Sequence, residues 1–279
     1  MILYFACKIN TTIKEYFMDN YPLVSILSTF KDSKEMLKIV VDSILSQDYP
    51  NVEHIIMDSA SNDGSVELLK EYNEKYSEKK YSLVWKSESD RCIADGANKA
   101  AALMTGDFFI FITNPFVSIE SLSTLMRVLI DGNYDAVCGG VVFQRNGTVV
   151  RRWRGNKWSW RLGWMAANET LCLKKEIFDS HGPFSENFSA SFDYNFQLSV
   201  FMDKKYHIKA IQVPIINFFA GGISNDGISG NIKTIKEDYA AIKAHKIKFA
   251  WFTILCKCIA AFLAYTFISK KDKSTLIPS

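Results

Sequence analysis

Cysteine and histidine are scarce in this sequence. There are six of the first and four of the second among 279 residues, and no two cysteines stand in a CxxC spacing (Cys7, Cys92, Cys138, Cys172, Cys256, Cys258). No zinc site is legible in that pattern, and reduced thiols in a cytoplasmic setting are the expectation. Charge of one sign is lacking too: a net charge of +3 argues against a general nucleic-acid binder. Glycine is missing from the loop Ser28 to Ser33, so neither a GxGxxG turn nor a phosphate-cradling P-loop is available there. Met1 to Cys7 is apolar but short, lacks a basic region and runs into Lys8 and Asn10, which makes it a poor signal peptide. Residues 1–21 are read as an N-terminal extension. What the chain does have is apolar residues, 48% against 23% charged, enough for one large domain or two fused halves.

The pattern is organised around Ser87 to Phe116, read as loop, helix, tight turn, buried strand and strand exit. Asp95, Asn98 and Lys99 fall at i, i+3 and i+4, which puts them on one helix face beside the loop carrying Glu88, Asp90 and Arg91. Thr105-Gly106-Asp107 breaks that helix, and the apolar run Phe108 to Ile112 suits a strand covered on both faces. Upstream, Leu23 to Ser28 reads as a strand, and Leu37, Val40, Val41, Ile44 and Leu45 repeat at helical spacing behind an expected capping pair, Asp32 and Glu35. Val52 to Met57 is a second strand that delivers Asp58 at its end. A helix over Ser65 to Tyr76 and a strand over Ser82 to Lys86 complete β-α-β-α-β. Such alternation predicts a parallel sheet with helices on both faces and a ligand crevice at the carboxyl ends of the strands, here near Thr113-Asn114-Pro115-Phe116. Asp58 is either a hydrogen-bond acceptor for a ribose or a base N–H, or the start of an Asx-turn.

The stretch VSILSTFKDSKEMLKIVVDSILSQDYPNVEHIIMDSASNDGSVELLKEY, followed by SESDRCIADGANKAAALMTGD, resembles the inverting glycosyltransferases of family two, over roughly residues 22 to 225. The resemblance implies an α/β GT-A fold with a central, mostly parallel sheet, a nucleotide-sugar half over 22–120 and an acceptor half over 121–248. It implies a nucleotide-diphosphate sugar, a UDP-sugar first, as donor, with Asp58 on the nucleotide. Ser28, Phe30 and Asp32, then Glu88, Asp90, Arg91, Asp95, Asn98, Lys99 and Asn114, would line the donor pocket. The family's pair of aspartates for Mg²⁺ or Mn²⁺ would fall at Pro115 and Phe116, neither of which ligates a metal, so no metal ligand is assigned and use of either cation stays open. Lys31, Arg91 or Lys99 would then carry the positive charge for the diphosphate. Asp107 precedes the strand and lies at its wrong end. Asp193, in Ser191-Phe192-Asp193-Tyr194-Asn195, matches the aspartate that deprotonates the acceptor hydroxyl, with a helix-capping role as the plain alternative. Phe184 to Asn187 and Phe218 to Ser224 match further landmarks, Gly221 and Gly222 serving loop closure.

Arg151 to Trp164 carries four tryptophans and four arginines. Trp153, Arg154, Trp158 and Trp160 are candidate contacts for a lipid-diphosphate saccharide; the alternative is a half-exposed strand or loop packed on the core. Residues 249–279 form the last unit, in which Phe249 to Ile268 holds a single charge, Lys257. A central lysine costs about 3 kcal/mol on insertion, offsetting the gain from the apolar residues. Wound as a helix, Ala250, Thr253, Lys257, Ala261 and Ala264 share one face, with Phe252, Leu255, Ile259, Phe262 and Leu263 on the other. An interfacial helix on the cytoplasmic leaflet is therefore expected, with a spanning helix second and an oligomer contact third. Together these readings describe a peripheral transferase on the inner face of the cell membrane. It would take a nucleotide sugar and a lipid-linked saccharide acceptor in polysaccharide assembly, and a homo-oligomer is one partner option. The rival is a degenerate, noncatalytic partner subunit of the same fold.

Overall fold

The computed structural model describes residues 21–145, 148–153, 160–163, 165–219 and 227–268. Its elements follow the predicted alternation: β1 (Val24–Phe30), α1 (Lys34–Leu45), β2 (Val52–Asp58), α2 (Ser65–Lys79), β3 (Ser82–Ser87), α3 (Ile93–Ala101) and β4 (Phe108–Phe111). Next come α4 (Ser121–Asp131), β5 (Ala136–Arg145), β6 (Thr148–Trp153), two 3-10 turns (Trp160–Leu162, Asn168–Thr170), β7 (Leu171–Lys174) and α5 (Lys175–His181). The chain continues through α6 (Phe192–Met202), β8 (Ile208–Phe219), α7 (Gly227–Ala244) and α8 (Ala250–Ile268).

One eight-stranded sheet carries the fold in the order β3-β2-β1-β4-β7-β5-β6, with β8 on β5. The strands β3, β2, β1 and β4 are all parallel. Beyond β4 the sheet is mixed: β7 is antiparallel to both β4 and β5, β6 is antiparallel to β5, and β8 runs parallel to it. Alternate residues of each central strand serve opposite layers, as the period of a strand requires. Ile26, Ile56 and Ile110 pack with α1, α2 and α4, while Leu27, Met57 and Phe109 pack with α3, α5 and α6.

The expected capping pair on α1 does not form. Asp32 adopts φ 44°, so its side chain crosses to the next loop, where Oδ1 accepts the Asn62 N–H at 2.9 Å. The open first turn of α1 is met instead from outside, by Asp63 Oδ2 accepting the Lys34 N–H at 2.7 Å. The loops after β1 and β2 are thereby tied into one rim.

A third apolar cluster joins α6, α7 and α8 through Tyr194, Leu198, Ala241, Ile242 and Ala250. Of the two faces of α8, the one with the small residues packs on the protein: Ala250 and Thr253 are buried, whereas Trp251, Phe252, Leu255 and Ile259 are exposed. No helix among the described residues is long and apolar enough to cross a membrane.

Candidate functional site: the carboxyl ends of the central strands

Asp58 ends β2, fully buried. Its Oδ2 accepts the Ser61 N–H at 3.0 Å, the Asx-type turn, and the Ser87 hydroxyl at 2.5 Å. Its Oδ1 is buried with no partner. A carboxylate oxygen left bare inside a protein is expensive, so this atom marks a place where a donor from outside would be strongly favoured. Two residues expected beside it lie elsewhere. Ser28 is fully buried, donating to the Ile112 carbonyl at 2.6 Å and bonded to His54 Nε2 at 3.0 Å, and Phe30 belongs to the core. They support the rim from beneath.

The face predicted for α3 assembles as an ionic network. Lys99 Nζ stands 3.0 Å from Glu88, 2.9 Å from Asp90 and 3.5 Å from Asp95. Arg91 bridges Asp95 at 2.7 Å and Glu186 at 2.9 Å. The Arg91 guanidinium and backbone N–H hold the Asp95 carboxyl well below the usual carboxylate range. Asn98 clasps the backbone of Phe184 in both directions, at 2.9 and 2.8 Å, and so fastens the segment before α6 to α3. Of the three cations expected to meet the diphosphate, Arg91 and Lys99 are thus each paired with carboxylates in this structure. Lys31 is exposed and makes no ion pair among the described residues. Gly96 lets the network close: a Cβ there would lie 2.7 Å from Asp90 Oδ2.

The exit of β4 is organised by a residue that sequence reasoning missed. Glu169, from the turn before β7, accepts the Thr113 N–H and hydroxyl at 3.1 and 3.0 Å, and the Asn114 N–H and side-chain amide at 2.8 and 3.0 Å. Burial pushes its carboxyl up, against the pull of those donors. Asn114 Oδ1 accepts the Phe219 N–H at 3.2 Å, the Pro115 carbonyl accepts the Asn217 N–H at 2.9 Å, and Phe116 is buried. The side-chain polar groups of Thr113, Asn114 and Glu169 are thus engaged within the protein. No cluster of three or more His, Cys, Asp or Glu able to hold a metal exists among the described residues. The side chains here do not fit Mg²⁺ or Mn²⁺. Asp107 lies at the opposite end of β4, accepting the Leu23 N–H at 3.0 Å.

Asp193 lies in the first turn of α6, half-buried, next to Phe192, whose ring packs 6.4 Å from Phe111 at the end of β4. Its Oδ1 accepts the Tyr194 N–H at 2.8 Å, so it also meets one open amide of the helix start. Burial pushes its carboxyl up; Lys257 pulls it down and Asp238 pushes it up. Helix α7 grips this segment: Glu237 accepts from Ser189 Oγ at 2.8 Å and from the N–H groups of Ala190 and Ser191 at 2.7 and 3.1 Å. His245 Nε2 donates to the Asn195 carbonyl at 3.1 Å. Of the acceptor candidates, Trp153 ends β6, and Trp160 carries the Arg161 guanidinium 4.4 Å over its ring. Arg154, Trp158 and the Gly221-Gly222 loop lie outside the described residues.

The family model of glycosyl transferase family 2 matches residues 25–193. Over 91 residues, 33% of this chain and 35% of the other, the sequence is 31% identical to a Bacillus subtilis (strain 168) chain carrying the name teichuronic acid biosynthesis glycosyltransferase TuaG. This chain thus spans about a third of that relative's length. It is 22% identical over 214 residues to the PGL/p-HBAD biosynthesis glycosyltransferase of Mycobacterium bovis (strain BCG / Pasteur 1173P2), covering 73% of this chain and 80% of that one. Among solved structures, S. aureus TarS 1-349 in complex with UDP-GlcNAc aligns with a TM-score of 0.63 at 14% identity, over 80% of this chain and 65% of the other. From β1 to the acidic residue in the first turn of α6, well over half its length, the chain carries the family's domain: it belongs to glycosyltransferase family 2, and its fold is that of the GT-A class.

Proposed function

We propose that the protein transfers a sugar, with inversion at the anomeric carbon, from a nucleotide-diphosphate sugar, UDP-linked first, to a lipid-linked saccharide in surface-polymer assembly. The observation that carries this reading is the buried, unpartnered Oδ1 of Asp58 at the carboxyl end of β2, where a base or ribose donor would complete it. Asp193 follows Phe192, whose ring packs on Phe111 at the end of β4, and is the residue proposed to face the acceptor. As general base it takes the proton of the acceptor hydroxyl while that oxygen bonds to the anomeric carbon and the diphosphate leaves from the opposite face; inversion follows from that geometry. No step is routed through a metal. Lys31 at the rim is the cation proposed to meet the diphosphate, with Asn98 keeping donor and acceptor sides in register. The relative named for teichuronic acid biosynthesis supports a saccharide acceptor in polymer assembly. The exposed apolar row of α8, Trp251, Phe252, Leu255 and Ile259, supports work at the cytoplasmic leaflet, flanked by Lys246 and Lys248.

The test is transfer from a panel of labelled nucleotide sugars to lipid-linked acceptors, with the anomeric configuration of the product read by NMR. Asp193→Asn is expected to lose transfer by a factor of about 100 or more while still binding nucleotide. Turnover at the native rate would remove Asp193 from the mechanism. Retention of configuration would overturn inversion.

A further inference from the structure

One half-buried lysine has no part in the chemistry above, yet it reaches the first turn of the helix that carries the proposed base. Lys257, near the middle of α8, reaches inward to Asp238 of α7, a residue only 2% exposed, and forms an ion pair with it. The same ammonium lies 3.8 Å from the centre of the Tyr194 ring, one residue past Asp193. The seat is tight: a Cβ on Gly163 would come within 2.7 Å of Lys257 Cβ, and Thr253 Oγ1 donates to the Arg161 carbonyl at 2.8 Å. An ion pair with its carboxylate buried is a weak way to hold a helix down, because desolvation offsets much of the attraction. Asp238 Oδ1 is itself buried without a partner, so the pair is not built for maximal stability.

We propose, resting on the assignment of Asp193 as base, that Lys257 is a positioning residue for it: paired with Asp238 and seated over Tyr194, it keeps the Asp193 carboxylate in its proton-accepting form. The other groups facing α6 among the described residues are already committed. Glu237 and His245 hold backbone at Ser189 to Ser191 and at Asn195, Arg161 lies over Trp160, and His181 of α5 pairs with Asp203 past the far end of the helix. Without the ammonium, the Asp238 carboxylate would lose its cation and its repulsion of the Asp193 carboxylate would go unopposed, so a proton would be retained to higher pH. The device links the acceptor-side base to the C-terminal helix, some 60 residues further along the chain.

The experiment titrates full-length protein labelled with [γ-¹³C]aspartate by NMR, the Asp193 signal being identified by its loss in Asp193→Asn. Lys257→Met is expected to raise the Asp193 midpoint by about one pH unit or more. Lys257→Arg restores it, and Lys257→Met combined with Asp238→Asn brings it back toward the wild-type value. Should Lys257→Met fail to fold, Asp238→Asn alone is expected to lower the midpoint. A midpoint unmoved in Lys257→Met, or in Asp238→Asn where that variant is the one available, overturns the proposal. The titration needs neither donor nor acceptor, so it stands apart from the transfer assay: a wrong base assignment shows as activity in Asp193→Asn, a wrong role for Lys257 as an unmoved midpoint.

Discussion

Asp58 gives each of its two oxygens a different task. One ties the loop to Ser61 and Ser87, and the other has nothing to bind inside the protein. Asp58→Asn is therefore expected to weaken nucleotide binding by about 10- to 100-fold, since a hydrogen bond to a charged group contributes roughly 1.5 to 3 kcal/mol. Its melting temperature should fall only slightly, because an amide oxygen can still serve the turn; calorimetry and thermal unfolding check the two halves. Asp95 makes the opposite kind of prediction, about stability. Its folded-state pKa is depressed by Arg91, so its contribution is present above the unfolded carboxylate value, about 3.9, and is lost as pH falls through the folded value. The advantage of wild type over Asp95→Asn in urea unfolding should hold at pH 7 and 5 and shrink below about pH 4. Both aspartates were legible as polar residues at element ends. Glu169 was not, because its bonds to Asn114 span 55 residues of sequence and no local spacing announces them. Glu169→Ala leaves four donors unmet and should cost about 3 kcal/mol or more of unfolding free energy.

At the scale of elements, hydrophobic period and turn residues were enough to place β1, β2, β4 and the helices between them within a few positions. The run Val52 to Asp58 is wholly buried, bounded by Asp48-Tyr49-Pro50 before and Ser59 to Gly64 after. What the period cannot show is direction, and so the antiparallel β7 between β4 and β5 had no signal beyond its apolar composition. Two glycines show how elements meet. A Cβ on Gly106 would lie 2.7 Å from the Leu23 carbonyl and 2.6 Å from Ser25 Oγ, at the turn that Glu53 also fastens by accepting the Gly106 N–H at 2.9 Å. Backbone cannot yield there, so Gly106→Ala should destabilise by about 2 kcal/mol. At Gly96 the obstacle is mainly the end of the Asp90 side chain. Gly96→Ala should move Asp90 off Lys99 and weaken donor binding more than it lowers the melting temperature.

Across the whole molecule, α8 faces two ways: Ala250, Thr253 and Lys257 seat it on α6, α7 and the turn at Trp160, while Trp251, Phe252, Leu255 and Ile259 are exposed. The sequence showed both faces, but the partner of Lys257 lay in α7 and had no local mark. Deleting residues 249–279 would therefore strip cover from the α6–α7 core and leave Asp238 without its cation, confounding release from membranes with loss of stability. Replacing Trp251, Phe252 and Leu255 with serine or glutamine separates the two. That variant should keep its melting temperature within a few degrees and lose sedimentation with vesicles containing anionic lipid. The proposed donor site remains the centre of the account: in this family 2 domain the side chains of Glu169 and Asn114 engage each other at the exit of β4. The most direct test is calorimetric titration of UDP, GDP and dTDP into the wild-type protein, each in EDTA and each with Mn²⁺. The account predicts that at least one nucleotide binds in EDTA with an affinity that Mn²⁺ leaves unchanged; binding only with Mn²⁺, or no heat with any nucleotide, would contradict it.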